Sequence, residues 1–427
     1  MKKISIFILV LSLVFSISIG ATVFIIESDL LQDEKFTVEL AKDRQDSYTT
    51  IYVSKGKNFK ILQLTDPQVK FPVNDYDKFG GSNERTMVMV ERMIEAIEPD
   101  LVIFTGDLVM SQIVDNWQYL KVYAELMEKQ NTYWTMAFGN HDVETSYVFT
   151  NTAPDSIFGQ TEKDVIIERL QQEYPHCLIS KGDAGTGGGI GNHIINIRDK
   201  SSEDLIYSLV MFDTVWEKDV DTTYHRNKTP AQVEWYVENI NHISDMQYGE
   251  NRTDVVKSFI YAHVAVPQIW DAYNEALDGE TADSKIHYGH ILEGVIGEEQ
   301  RSCTLFDTAL SLGSTKAMFF GHHHDNDAMV TYKGIDLVFG QHSGLSHYYR
   351  IDKEESAYAA TYDLTDIFKY GDMRGGTLLT IHCNGSSSTY SIKPQYAYNT
   401  IKWDDIKIDY EETYTRLSED ENNTVIR

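Results

Sequence analysis

Residues 316–326 read Lys-Ala-Met-Phe-Phe-Gly-His-His-His-Asp-Asn, an apolar run followed at once by three consecutive histidines. The apolar run is typical of a buried β-strand, and open α/β sheets bind ligands in the crevice beyond the carboxyl ends of their strands. A strand of this kind delivers imidazoles to that crevice, and neutral imidazole is a common ligand of first-row metal ions. A histidine triplet alone is weak evidence, because exposed His tracts look the same. It becomes strong if other strands end in Asp, Asn and His.

Length and composition favour a folded α/β protein. The chain has 427 residues, of which 42% are hydrophobic, enough for one large domain or two medium ones. Its net charge of −28 counts against a protein that holds nucleic acid by counterion release. An acidic chain can still bind phosphate if metal ions supply positive charge. Cys177, Cys303 and Cys383 lack metal-binding spacing, so we expect buried or free thiols and at most one disulfide.

The N-terminal region predicts export. Lys2 and Lys3 precede residues 4–26, which carry no charge and are numerous enough to span a bilayer. Small residues before Ala21 offer a signal peptidase a cleavage site. A cleaved signal peptide and a retained membrane anchor both stay open. We therefore expect an exported protein, either extracellular, at the cell surface, or anchored through residues 4–26.

Strands and helices alternate after this region. Residues 59–64 form an apolar run that leads into Thr65-Asp66-Pro67-Gln68, and apolar residues then recur at helical spacing through residues 87–97. A second apolar run, residues 101–105, ends in Gly106-Asp107. The order strand, helix, strand predicts a right-handed βαβ unit. Both acidic residues should therefore lie at the same edge of one sheet.

Three further predicted strands end in polar residues of the same kinds. Residues 133–138 lead into Gly139-Asn140-His141-Asp142, residues 258–262 lead into His263, and the opening stretch leads into His322 and His324. Carboxylate, amide oxygen and imidazole together suit two divalent ions such as Mn, Fe or Zn, about 3.5–4 Å apart. Each residue singly also fits a helix cap, a turn or a buried core position. The ordered set of five strand ends is what indicates a metal centre.

The remaining pattern predicts one domain. It predicts a helix over residues 163–173, a helix capped by Thr229, and strands over residues 193–197, 205–212, 331–340 and 376–382. We expect irregular and helical structure over residues 267–312. No repeat or linker composition interrupts residues 59–382. We therefore predict a targeting segment (1–26), a linker with a short β lead-in (27–56), one catalytic domain (57–383) and a C-terminal tail (384–427).

In this chain order, the motifs resemble those of the calcineurin-like metallophosphoesterases, D-x-H, G-D, G-N-H-D/E, H and G-H-x-H. The resemblance spans residues 59–382. Residues 189–192, Gln232-x-x-Trp235 and residues 340–344 resemble the purple acid phosphatase 29-like subgroup. The resemblance implies an α/β fold, a four-layer α/β/β/α sandwich of two mixed sheets flanked by helices.

The same resemblance implies a set of residue roles. A first metal position would be formed by Asp66, Asp107 and His324, with Gln68 beside them, and a second by Asp107, Asn140, His263 and His322. His141 would donate a proton to the leaving oxygen, with Asp142 holding its imidazole.

The implied activity is hydrolysis of phosphomonoesters by a hydroxide that two metal ions generate, on a phosphorylated small molecule or protein. Two alternatives stay open. One is a phosphodiesterase or nuclease of the same superfamily, and the other is a metal-binding interaction module whose activity has lapsed.

Two positions depart from the family pattern. Asp66-Pro67-Gln68 places an amide where the family has imidazole, so we expect weaker metal binding at the first position. Position 110 is Met, so the tyrosine of true purple acid phosphatases is missing and a coloured ferric enzyme is not expected. We also expect His323 to point away from the metals. For His342, a place in the pocket lining stays open beside the favoured surface or structural role.

Overall fold

The computed structural model describes residues 35–41, 48–69, 83–109, 116–143, 162–182, 188–214, 228–294, 303–344 and 374–401. Strands β1 to β14 are, in chain order, Phe36–Glu39, Thr49–Val53, Asn58–Leu64, Leu101–Phe104, Tyr133–Met136, His193–Asp199, Leu205–Phe212, Ser258–Ala262, Ser284–Tyr288, Thr315–Phe320, Met329–Tyr332, Ile335–Phe339, Gly375–His382 and Thr389–Tyr396. Helices α1 to α7 are Asn83–Ile97, Asn116–Lys129, Lys163–Glu173, Pro230–Tyr248, Gln268–Asp278, Leu305–Leu312 and Ala397–Thr400.

Two mixed sheets form the centre of the fold. The five-stranded sheet has the order β14-β13-β3-β4-β5, and the nine-stranded sheet has the order β1-β2-β6-β7-β8-β10-β12-β11-β9. In the first, β3, β4 and β5 are parallel while β13 is antiparallel to β3. In the second, β7, β8, β10 and β12 are parallel and β11 is antiparallel to β12. The prediction of two mixed sheets is confirmed.

Three hydrophobic clusters separate four layers. Between the sheets, Ile61 and Ile103 of one pack in the same fully buried cluster as Leu209 and Phe319 of the other. A second cluster joins α1, α2 and α3 to the outer face of the five-stranded sheet, and a third joins α4, α5 and α6 to the nine-stranded sheet. Burying each large apolar side chain contributes about 1.5–3 kcal/mol. The α/β/β/α sandwich is therefore held by three cores.

The βαβ prediction is also confirmed. Strands β3 and β4 are parallel neighbours, and the turns that follow them are joined by backbone hydrogen bonds. The Asp66 N–H donates to the Gly106 carbonyl at 3.1 Å, and the Gln68 N–H donates to the Asp107 carbonyl at 3.0 Å. Both acidic strand ends therefore lie at one edge of the five-stranded sheet.

Helix α4 begins where the sequence predicted. The Thr229 hydroxyl accepts from the Gln232 N–H at 3.2 Å, and the Gln232 side chain accepts from the Thr229 N–H at 3.0 Å. This capping box satisfies two N–H groups that the helix cannot pair internally, and a cap of this kind contributes about 1 kcal/mol. The Thr229 cap prediction is confirmed.

The structure corrects two predictions of secondary structure. Residues 331–340 are not one strand, because Lys333 and Gly334 have positive φ (48° and 83°) and turn the chain between β11 and β12. A turn with two positive φ values matches the twist of a hairpin. Strand β9 occupies part of the region expected to be irregular and helical, and it lies at an edge of its sheet, where much of it is exposed.

The domain limits also need correction at both ends. Strands β1 and β2, in the predicted lead-in, belong to the nine-stranded sheet, and β14, in the predicted tail, pairs with β13 over its full length. Strand β14 is largely polar and contains Pro394, which suits a strand with one unpaired edge and hides it from a hydrophobicity pattern.

Two further expectations concern the cysteines and the N-terminus. All three cysteines are buried free thiols, as expected. Across the part of the chain that the structure describes, no helix is long and apolar enough to cross a membrane. The predicted targeting segment, residues 4–26, lies outside the described residues.

Candidate metal centre

The two sheets bring their polar strand ends together between them. The five-stranded sheet contributes the residues that follow β3, β4 and β5, and the nine-stranded sheet contributes those that follow β8 and β10. The residues from the first sheet are Asp66, Gln68, Asp107, Asn140 and His141, and those from the second are His263, His322 and His324. The first sheet therefore supplies the carboxylates, the amides and one imidazole, and the second supplies three imidazoles.

The second metal position is the more closely assembled of the two. His263 Nε2 lies 3.1 Å from both Asp107 Oδ2 and Asn140 Oδ1, and His322 Nδ1 lies 3.2 Å from His263 Nε2. Ligand atoms of Asp107, His263 and His322 all lie within 4.8 Å of one another. His263 Nδ1 lies 2.8 Å from the Thr105 carbonyl oxygen, which leaves Nε2 facing the cluster. This carboxylate, amide and imidazole set fits a divalent transition metal.

The first metal position is built more loosely. Asp66 Oδ2 already accepts from the Thr65 hydroxyl at 2.6 Å and from the His322 N–H at 2.8 Å, while Asp66 Oδ1 lies 3.3 Å from His324 Nε2. Gln68 Nε2 donates to Asp107 Oδ2 at 3.3 Å. The Gln68 amide therefore presents its nitrogen to the Asp107 carboxylate, whereas the sequence predicted donation from its oxygen to a metal. A half-turn of the amide exchanges the two atoms.

Backbone strain is concentrated at these residues. Asp66, Gln68, Asp107 and His322 have φ values of 54°, 45°, 52° and 71°. Residues other than glycine rarely adopt this left-handed conformation, and each such strained residue costs about 1–3 kcal/mol. Strain of this kind persists where the surrounding structure fixes side chains for a function, and here it coincides with four of the predicted ligands.

Two glycines allow the strand ends to approach each other. A Cβ on Gly139 would lie 2.1 Å from Asp107 Oδ1, and one on Gly321 would lie 1.9 Å from Thr65 Oγ1 and 2.5 Å from Asp66 Oδ2. Neither gap admits a carbon atom. The glycines of the Gly-Asn-His and Gly-His-x-His motifs are therefore required because the carboxylates press against the backbone.

Asp142 makes contacts that the sequence did not predict. Its two carboxylate oxygens accept from the backbone N–H groups of Gly139 (2.7 Å), Asp107 (3.0 Å), Leu108 (2.8 Å) and Val109 (3.3 Å). Asp142 therefore fixes the turn that carries Asp107, and its role toward the His141 imidazole stays a prediction. The sequence around Asp142 could not predict these hydrogen bonds, because the four donors come from two strand ends that are distant in the chain.

His141 lies at the rim of the cluster. Its backbone N–H donates to Asp107 Oδ1 at 2.8 Å, and its Nε2 lies 3.9 Å from Asp107 Oδ2. The side chain is 25% exposed, whereas that of Asp107 is 1% exposed. A molecule from solvent can therefore reach the His141 imidazole next to the buried carboxylate.

The charges of the cluster depend on one another. Burial alone would raise the pKa of Asp107, but the His263 and His141 imidazoles hold that pKa well below its usual range. Burial lowers the pKa of His263, but the Asp107 and Asp66 carboxylates outweigh it and raise the pKa to about 9. Burial and the neighbouring His263 hold the pKa of His322 well below 6.5. Burial, with the Asp107 charge, raises the pKa of Asp142 to about 6.

Burial also opposes charge on His324, but its contact with Asp66 outweighs this and raises the pKa of the imidazole. The Asp107 and Asp66 carboxylates therefore favour the protonated form of His263, and Asp66 favours that of His324.

Other residues of the histidine loop support it from outside. The His323 ring packs 4.8 Å from Trp270 and 5.6 Å from Phe339, away from the carboxylates. Asn326 Oδ1 accepts from the Leu292 and Glu293 N–H groups at 2.8 Å each. Asn326 thereby fixes residues 292–293 beside the loop.

Sequence patterns did not reveal the importance of His342 or Ser343. The His342 ring stacks on the His324 ring, with centroids 4.4 Å apart and planes 10° apart. Ser343 Oγ accepts from the Thr65 N–H at 3.0 Å. The signal available was their place just after strand β12, at the same sheet edge as the histidine loop. Met110 lies outside the described residues.

Comparison with known proteins identifies one matching family and several similar proteins. The model of the family "Calcineurin-like phosphoesterase" matches residues 59–340. Similar proteins include "Probable inactive purple acid phosphatase 29" of Arabidopsis thaliana, 22% identical over 329 residues, 73% of this chain and 78% of that protein. "Probable inactive purple acid phosphatase 28" of the same plant is 25% identical over 308 residues, 68% of this chain and 72% of that protein. A solved dimetal phosphatase from Danio rerio aligns with 9% identity and a TM-score of 0.44, covering 78% of this chain and 98% of that one.

Proposed function

Because this chain belongs to the calcineurin-like phosphoesterase family, we propose that it is a metal-dependent phosphohydrolase that cleaves phosphomonoesters. The observation that carries the proposal is the convergence of Asp107, Asn140, His263 and His322, with the partly exposed His141 beside them. When bound, two divalent ions would supply positive charge for the phosphoryl group and acidify a water molecule.

The side chains divide the remaining work. Asp107 would contribute to both metal positions, Asn140, His263 and His322 would complete the second, and Asp66 and His324 would belong to the first. His141, reachable from solvent and 3.9 Å from Asp107 Oδ2, would hold the proton that the leaving oxygen takes. Asp142 would support the site indirectly, because it accepts from four backbone N–H groups and so fixes the turn that carries Asp107.

The test uses the full chain, stripped of metal and reconstituted separately with Mn²⁺, Fe²⁺, Zn²⁺, Mg²⁺ or Ca²⁺. We expect at least one ion to restore hydrolysis of para-nitrophenyl phosphate, with slower hydrolysis of bis(para-nitrophenyl) phosphate. Preference for the diester would favour the phosphodiesterase alternative. Full activity in protein shown by metal analysis to be empty would exclude a metal-dependent hydrolase.

One observation favours a second function. Gln68 stands where the family has histidine, and its amide nitrogen faces Asp107. A chain that binds metal without hydrolysing either ester would be a metal-binding interaction module, and two similar plant proteins carry "inactive" in their names. Metal binding measured beside the activity assay separates the two functions, because a module binds metal and turns over nothing.

We further propose that the chain is exported, through cleavage near Ala21 or anchoring by residues 4–26, because of the uncharged run that follows Lys2 and Lys3. Mass spectrometry of the protein from membrane and external fractions distinguishes cleavage from anchoring. Recovery of the intact chain from the cytoplasm would contradict both.

A further inference from the structure

His342 comes from a segment, residues 340–344, that joins the two sheets next to the first metal position. It follows β12 of the nine-stranded sheet, and the Gly340 N–H donates to the Phe320 carbonyl at 2.9 Å. Its other contacts reach the strand end that carries Asp66. The Ser343 N–H donates to the Thr65 carbonyl at 2.8 Å, and Ser343 Oγ accepts from the Thr65 N–H at 3.0 Å.

The backbone of His342 is therefore fixed from both sides. It forms an isolated parallel bridge with Thr65, and its carbonyl accepts from the Gly375 N–H at 3.1 Å. The Ser343 hydroxyl donates to the Gly375 carbonyl at 2.7 Å. With the backbone held in this way and only 2% of the residue exposed, the imidazole has little freedom to move.

The held ring lies flat against a predicted ligand. Its plane is 10° from that of His324, with centroids 4.4 Å apart, and His324 Nε2 lies 3.3 Å from Asp66 Oδ1. The nitrogen lone pairs of the two rings lie in two separate, nearly parallel planes, so the rings do not both direct a lone pair at one ion. Stacking instead limits rotation of the His324 ring.

We propose that His342 is a positioning residue of the first metal position, which holds His324 by ring stacking where Gln68 has replaced an imidazole ligand. The inference rests on the proposed function for the existence of this position. A partner that orients a metal ligand typically changes metal affinity by about 10–100-fold. His342 acts through its aromatic plane, and its nitrogens do not bind the metal.

Titration of the metal-free full chain with Co²⁺ alone, followed by visible absorption, tests this. We expect two binding events, the weaker missing in Asp66→Ala and the stronger missing in His263→Ala. His342→Ala should weaken the first position by about 10–100-fold and leave the second unchanged. His342→Phe keeps a ring without nitrogens and should restore binding to within about threefold of wild type, whereas His342→Gln, polar but without a ring, should behave like His342→Ala.

His290→Ala is the matched control, because it removes an imidazole that lies 3.9 Å from Asp327 near the same loop, and it should change neither event. If His342→Phe is as weak as His342→Ala, or if neither changes the first event, the inference is overturned. A wild-type chain with only the stronger event also overturns it, while hydrolysis with that single ion would leave the proposed function standing. Two intact binding events without hydrolysis would contradict the proposed function, and the effect of the His342 variants on the first binding event would still decide this inference.

Discussion

The two metal positions share Asp107 but differ in how they are built. Around the second, His263 Nε2 lies 3.1 Å from Asp107 Oδ2 and from Asn140 Oδ1, and 3.2 Å from His322 Nδ1. At the first, Asp66 Oδ2 already accepts two hydrogen bonds, and Gln68 turns its amide nitrogen to Asp107. The second position therefore brings its ligand atoms together, whereas at the first Gln68 presents a hydrogen-bond donor to Asp107.

The difference follows from the residues that hold each ligand. His263, which belongs to the second position alone, is oriented by a backbone group, the Thr105 carbonyl at 2.8 Å. His324 is oriented by the face of another side chain, His342. Ligands set by backbone are more rigid than a ligand set by stacking, and rigid sites bind metal with less loss of conformational entropy. We therefore expect tight binding at the second position and weak binding at the first.

The largest effect should come from the residue that the two positions share. Asp107→Asn keeps the shape of the side chain but removes the charge, and we expect loss of metal from both positions and hydrolysis at background level. Metal analysis and para-nitrophenyl phosphate turnover measure the two losses. If Asp107→Asn kept its first ion with wild-type affinity, the positions would be independent and the comparison above would fail.

His141 provides the next effect, because it lies outside both ligand sets. His141→Ala should lower kcat by about 10²–10⁴ and leave both metals bound, as expected when a proton donor is lost. Steady-state kinetics together with metal content give the result. Loss of metal in this variant would make His141 a ligand of the second position and enlarge that site.

A smaller effect is expected from pH. His263 has a pKa raised to about 9, so at neutral pH its ring carries a proton that a metal ion must displace. Raising the pH toward 9 removes that proton, so affinity at the second position should rise by up to about tenfold per pH unit and level off above it. Calorimetry with Mn²⁺ in two buffers that differ in ionisation enthalpy would report the proton released. Affinity that does not change between pH 6 and 8 would mean that His263 is neutral.

The sequence predicted the ligands that lie at strand ends, but it did not predict contacts between segments that are distant in the chain. Apolar runs that stop at Asp107 and His263 marked the edge where ligands gather, because parallel strands place their carboxyl ends together. Edge strands such as β14 were missed, since one buried face leaves a weak pattern. The stacking of His342 on His324 and the four donors to Asp142 depend on turn geometry across two sheets, which no local spacing encodes.

Metal stoichiometry against free metal concentration, in wild type and in Gln68→His, tests the central claim most directly. The account predicts one tight and one weak ion in wild type, and in Gln68→His a first position tightened by about tenfold or more, with preference shifted toward Zn²⁺, because imidazole is the softer and more basic donor. Gln68→Glu, which adds a carboxylate of the same length, should also tighten the first position but favour Mn²⁺. Two equally tight ions in wild type, unchanged by either substitution, would contradict the account.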